Sequence, residues 1–159
     1  QSLGVDWYNV LITVESYLQG YPVFLADDGL LRDSSGVHGS YRPGSPTDDA
    51  LRRILQAVAA LAPSRVELFL DSPISFSGDM AEQLRRRPEI PCPVEVTVCP
   101  SADYPLKSFP GVVATSDSSI VDRSGVLRVV DLARYVLVSS FAARLPAVGE
   151  LFSPPKSPG

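Results

Sequence analysis

Asp6, Asp71 and Asp117 each stand at or just after the end of a short apolar run, in "LGVD", "LFLD" and "VVATSD". Repeated three times along one chain, that placement can deliver hard oxygen ligands to a single point. If the runs are neighbouring strands spaced ~4.8 Å apart, the carboxylates converge within reach of one cation. Close anions repel, and only a metal or a shared proton relieves them. Magnesium and manganese prefer carboxylate and water oxygen, so Mg²⁺ or Mn²⁺ suits this set as cofactor. The competing reading is local: each acid caps the next helix or opens a turn, with Asp117 in "SDSSI" the plainest case.

Other residues could complete such a centre. Asp122 does not share the helical face of Asp117, yet with Asp117 at a cap the two could flank a metal. Asn9 could hold Asp6 or a phosphate oxygen through its amide, or serve a turn. Thr115 and Ser116 could donate to phosphate, or cap the backbone. In "LADDGLLRD" a charged turn is the default; the functional alternative makes Asp28 an outer acid of the site and Arg32 or Arg42 a phosphate clamp. "RRR" at 85 to 87 reads as the solvated end of a helix. His38 sits in a Gly/Ser loop, and the chain carries no GxSxG, Walker A or GxGxxG motif.

The elements that must position these residues alternate between strand and helix. Residues 3 to 7 read as a strand, "VLITVESYLQG" as a short helix ending at Gly20, and "YPVFLADDG" as an extended piece entering a turn at Asp28 and Gly29. A long loop without a clear period follows, from Leu30 to Pro46. Ser45 is expected to cap the next helix, with Pro46 in its first position and Asp48 and Asp49 at its positive start. Leu51, Ile54, Leu55, Val58 and Leu61 then recur at helical spacing. "RVELFLD" reads as a strand, "SGDMAEQLRRR" as a helix, "VEVTVC" as a strand, and "PSADYPLKSFP" as a Pro-rich link. "GVVAT" and "VLRVV" read as strands on either side of the short helical "DSSIVDR", and "DLARYVLVSSFAAR" as a helix capped by Asp131.

This order implies an α/β fold with a mainly parallel central sheet between helical layers. In such sheets ligands bind outside the carboxyl ends of the strands, where strand order reverses. An acid that ends a buried strand therefore points into the crevice where chemistry occurs. Residues 1–145 are expected to form one domain and 146–159 a Pro-rich linker or disordered tail.

Composition bounds the function. The 159 residues suffice for one core, and 45% hydrophobic content argues for folding. The longest apolar run is "AVAALA", far short of the ~20 residues a membrane crossing needs. A net charge of −4 argues against a nonspecific nucleic-acid coat, and less against an enzyme whose acids hold divalent cations. Cys92 and Cys99 flank the strand "VEVTV" and stand too far apart for a disulfide. As free thiols they point to a reducing, cytoplasmic compartment. Lacking a Met start and a signal peptide, the sequence reads as an excised domain whose full-length protein has a further N-terminal region.

The sequence "VDWYNVL"... "LFLDSP"... "VVATSDSSIVDR" resembles the PIN-like nuclease superfamily, and within it the NYN branch. Asp6, Tyr8 and Asn9 match the opening Asp and Tyr-Asn pair, Asp71 an internal strand-end acid, and Thr115 and Asp117 the late Thr-x-Asp element. Trp7 departs from the small Gly common at its position. Residues 3 to 143 also resemble a prokaryotic family of unknown function with such a domain. The resemblance implies a three-layer α/β/α sandwich and metal-dependent cleavage of RNA, less often DNA. Asp6, Asp71, Asp117 and Asp122 would bind Mg²⁺ or Mn²⁺, while Asn9, Thr115, Ser116, Arg32 and Arg42 would meet the substrate. Two alternatives stay open: a non-catalytic module binding nucleic acid or protein, and a phosphohydrolase acting on a small ester. Homodimerisation stays open as well.

Overall fold

Along the first strand, β1 (Ser2–Asp6), Leu3 and Val5 enter one hydrophobic core, while a Cβ at Gly4 would meet Phe109 and Leu106 on the other side. A period of two with both faces covered is what a central strand requires. The computed structural model of the chain describes residues 1–123 and 128–147. After β1 come α1 (Trp7–Leu18), β2 (Val23–Leu25), β3 (Leu31–Asp33), a 3₁₀ turn (His38–Ser40), α2 (Thr47–Ala60) and β4 (Arg65–Asp71). Then follow α3 (Ser77–Arg85), β5 (Val94–Cys99), α4 (Asp103–Lys107), β6 (Val112–Ala114), α5 (Ser118–Arg123), β7 (Val129–Val130) and α6 (Leu132–Phe141).

The central sheet is parallel, in the order β5-β4-β1-β6-β7. From β1 the chain first builds outward through β4 to β5, then crosses back to place β6 on the other side of β1. Strand order therefore reverses between β1 and β6, and there the crevice at the carboxyl edge opens. Helices cover both faces, giving the expected three-layer α/β/α sandwich. α1, α2, α3 and α6 pack over the larger core, with Trp7, Leu11, Leu51, Ile54, Met80 and Leu137 fully buried or nearly so. α4 and α5 cover a smaller one built from Phe69, Leu106, Phe109, Val113 and Ile120. Close packing on that second face leaves no room at Gly111, where a Cβ would lie 2.3 Å from the Ser2 carbonyl oxygen.

Several expectations are met by their predicted chemistry. Gly20 takes φ +82° just past α1, and Asp131 caps α6 by accepting from Arg134 N at 3.1 Å. Others are corrected. The loop from Leu30 to Pro46 contains β3, which pairs antiparallel with β2 to make a separate two-stranded sheet. Three residues are too few to show a period. Asp131 also accepts from Leu31 N at 2.6 Å, which ties this small sheet to α6. The α2 start lies one residue later than Ser45 and Pro46 imply: Pro46 is the residue before the helix, and the Thr47 hydroxyl takes the Gly44 N–H at 2.8 Å. The Pro-rich link holds α4, with Pro105 inside its first turn, where a missing N–H costs nothing.

Of the predicted strand "VLRVV", Val126 and Leu127 lie outside the described residues, as does the tail from Val148 onward. The beginning of that tail is structured. Leu25 N donates to Pro146 O at 2.9 Å, and Leu25 bridges Ala147.

Candidate metal centre

Because β1 lies between β4 and β6, the ends of three strands open onto one pocket of about 240 Å³. It is lined by Asp6, Asn9, His38, Asp71, Ser101, Asp103 and Asp117. Carboxylate oxygens of Asp6, Asp103 and Asp117 lie within 4.8 Å of one another. Asp6 ends β1, Asp103 opens α4 behind β5, and Asp117 follows β6. Asp71, at the end of β4, stands on the wall of the same pocket outside that tight trio. Its Oδ1 accepts from Ala102 N at 2.9 Å and its Oδ2 lies 3.9 Å from His38 Nε2.

Asp6 is 4% exposed and sits in the N-cap position of α1, yet its carboxylate makes no capping bond. It accepts instead from the Thr115 hydroxyl at 2.9 Å. Thr115 Oγ1 in turn accepts from Asp117 N at 3.0 Å, so one hydroxyl sets the spacing of two acids. Asp117 does cap as the local reading expects, with Oδ1 accepting from Ser119 N at 2.8 Å. Asn9 Oδ1 receives both the Ser116 N–H and the Ser116 hydroxyl, at 2.9 and 3.1 Å, which locks the β6–α5 link onto α1.

Burial and crowding act together on the charge. Desolvation pushes the Asp6 carboxyl up to about 7, with Asp71, Asp103 and Asp117 adding repulsion and the Thr115 hydrogen bond opposing both. Asp103 is raised by its own desolvation, then by Asp117. Among the described residues no Lys or Arg forms an ion pair with Asp6, Asp71, Asp103 or Asp117. Oxygen-only donors, close spacing and an uncompensated buried carboxylate fit a hard divalent cation.

The expected site residues divide sharply by place. Asp6, Asn9, Asp71 and Asp117 line the pocket. Thr115 and Ser116 are buried, and their hydroxyls are engaged inside the protein on Asp6 and Asn9. Asp122 is exposed on α5 and does not line the pocket. Arg32, on β3, pairs with Asp28 at 2.8 Å, and Arg42 lines a different cavity. Neither arginine lines the acid pocket, because β3 and the segment after the 3₁₀ turn lead away from it. Asp103, Ser101 and His38 were not anticipated. Asp103 lay in the segment read as a Pro-rich link, although "SADYPLK" follows a strand as the other acids do.

The family profile that matches residues 1–135 is described as a domain of unknown function, DUF5616. The uncharacterized protein MJ0935 of Methanocaldococcus jannaschii is 34% identical over 133 residues, which cover 83% of this chain and 63% of that protein. The chain thus spans less than two thirds of the relative it matches. No solved structure matches the chain. With most of its length matched, and the acid pocket inside the matched region, the chain belongs to the DUF5616 family.

Proposed function

We propose that the chain is a PIN-like, divalent-metal-dependent nuclease that hydrolyses phosphodiester bonds, with RNA favoured over DNA. One observation carries the reading: Asp6, Asp103 and Asp117, from three separate elements, bring their carboxylate oxygens within 4.8 Å at the point where strand order reverses. Mg²⁺ or Mn²⁺ is the cofactor of this reading. The chemistry such an ion supplies when bound is polarisation of a phosphoryl oxygen and activation of water.

The chain's own residues supply geometry. Asp6, Asp103 and Asp117 would hold the cation, and the Thr115 hydroxyl fixes both Asp6 and the backbone that carries Asp117. Asp71 completes the acidic wall, and His38 stands beside it, 57% exposed, where a phosphodiester would enter. Asn9 is held by Ser116 through its oxygen, so its amide nitrogen remains to donate toward a phosphate oxygen. No helix among the described residues is long and apolar enough to cross a membrane. With two free cysteines, this reading places the chain in the cytoplasm. The activity of a longer protein carrying this domain is part of the same proposal.

The test is Mn²⁺ titration by calorimetry, paired with cleavage of a mixed-sequence oligoribonucleotide by the purified chain. Saturable binding with metal-dependent cleavage, both lost in Asp6→Asn, is the expected result. Binding without cleavage of any oligonucleotide, but with turnover of a mononucleotide, would move the activity to small phosphate esters. No saturable Mn²⁺ binding would leave a non-catalytic module.

A further inference from the structure

A second cavity, of about 250 Å³, is lined by two of the segments that also contribute to the acid pocket. The first wall is α1. Asn9 faces the acid pocket, whereas Glu15, Ser16 and Gln19 line the second cavity. Asn9 and Ser16 share a face of α1, whereas Glu15 lies about 9 Å along the axis from Asn9 and about 120° around it. The second wall is the segment around the 3₁₀ turn: His38 lines the acid pocket, and Tyr41 and Arg42 line the cavity. The two cavities have no lining residue in common, but both draw on α1 and on the segment at the 3₁₀ turn.

Glu15 is the unusual group in the second compartment. Its side chain is buried in the middle of a helix, and its Oε1 accepts from the Thr47 hydroxyl. The Tyr41 hydroxyl, also buried, lies 3.4 Å from Thr47 Oγ1. Among the described residues no Lys or Arg pairs with Glu15, although Arg42 lines the same space. A carboxylate offers about four acceptor sites, so hydroxyl donors leave capacity unused. Desolvation raises its pKa, and a ligand bringing N–H donors would relieve that cost.

We propose that this compartment is a nucleobase pocket and that Glu15 selects guanine. The inference takes its setting from the nuclease reading. Guanine is the common base whose pairing edge presents two adjacent donors, the ring N1–H and the exocyclic amine, which match the two oxygens of a carboxylate. Adenine and cytosine set a donor beside an acceptor there, and uracil flanks its one donor with acceptors. Arg42 supplies a guanidinium for the attached phosphate and disfavours a simple ammonium ligand.

Calorimetric titration of the whole chain with GMP, IMP and AMP, in EDTA, tests this. GMP is expected to bind saturably and AMP at least about tenfold more weakly, with IMP, which lacks the exocyclic amine, in between. Glu15→Gln should remove the preference while circular dichroism shows the fold retained. Equal binding of GMP and AMP would overturn the proposal, as would an unchanged preference in folded Glu15→Gln or tighter binding of spermidine than of GMP. The comparison among the three nucleotides needs no variant, so a misfolded Glu15→Gln leaves it decisive. Because metal is chelated and binding is the readout, a failed nuclease reading leaves this result standing, and the converse holds.

Discussion

The Thr115 hydroxyl donates a 2.9 Å hydrogen bond to Asp6 Oδ2, joining residues 109 positions apart across the point where strand order reverses. Thr115 Oγ1 also accepts the Asp117 N–H. Thr115→Val keeps the shape and removes both roles. Asp6 then loses the contact that opposes its raised pKa, and Mn²⁺ affinity at pH 7 is expected to fall about 10- to 100-fold, as for other residues that orient metal ligands. Calorimetry against the parent chain measures it.

Asp103 and Asp122 separate geometry from composition. Both are acids that follow a strand of the sheet, yet only Asp103 enters the trio. Asp103→Asn should weaken Mn²⁺ binding by at least about tenfold, whereas Asp122→Asn should stay within about twofold of the parent chain. Similar losses in the two variants would place the ion elsewhere.

Stability should fall as pH rises in the absence of metal. Asp6 is raised from 3.8 to about 7, so folding favours its protonated form. Its contribution is complete below about pH 4 and is lost as pH climbs through about 7, on the order of 4 kcal/mol for this shift. Urea unfolding in EDTA at pH 5 and pH 8 reads the change. Asp6→Asn should flatten it, and Mn²⁺ should restore stability at pH 8.

Gly111→Ala probes the second core. The new Cβ would fall 2.3 Å from the Ser2 carbonyl oxygen, so β1 and the start of β6 must part. A loss of about 1–3 kcal/mol in urea unfolding is expected.

Phe76 takes φ +64° at the start of α3 while 55% exposed, so it bears left-handed strain and buries little in return. Phe76→Asn should raise stability by up to about 1 kcal/mol, because Asn tolerates that conformation. An unchanged or lower midpoint in urea would show that the ring contributes contacts that outweigh the strain.

The parallel sheet was readable because its longest strands, around Leu68 and Val96, are bounded by turn residues and separated by helical periods. Asp6, Asp71 and Asp117 were readable for the same reason: a strand's end can be seen in sequence, and ligands gather at strand ends. Asp103 was hidden because α4 is five residues long with Pro105 inside it, too short for periodicity to register. Arg32 and Arg42 do not line the acid pocket, and nothing local reveals this: β3, which carries Arg32, pairs with β2 rather than joining the main sheet, and Arg42 follows the 3₁₀ turn. The split role of Thr115 was equally invisible, since a hydroxyl's partner 109 residues away leaves no trace in spacing.

The contact between Leu25 and the Pro146–Ala147 pair has a practical corollary. A fragment trimmed to the family match, which stops at residue 135, would discard the clasp that holds the β2–β3 hairpin beside its turn. That hairpin feeds the chain into His38, so shortening the far end would loosen the approach to the acids without touching any of them.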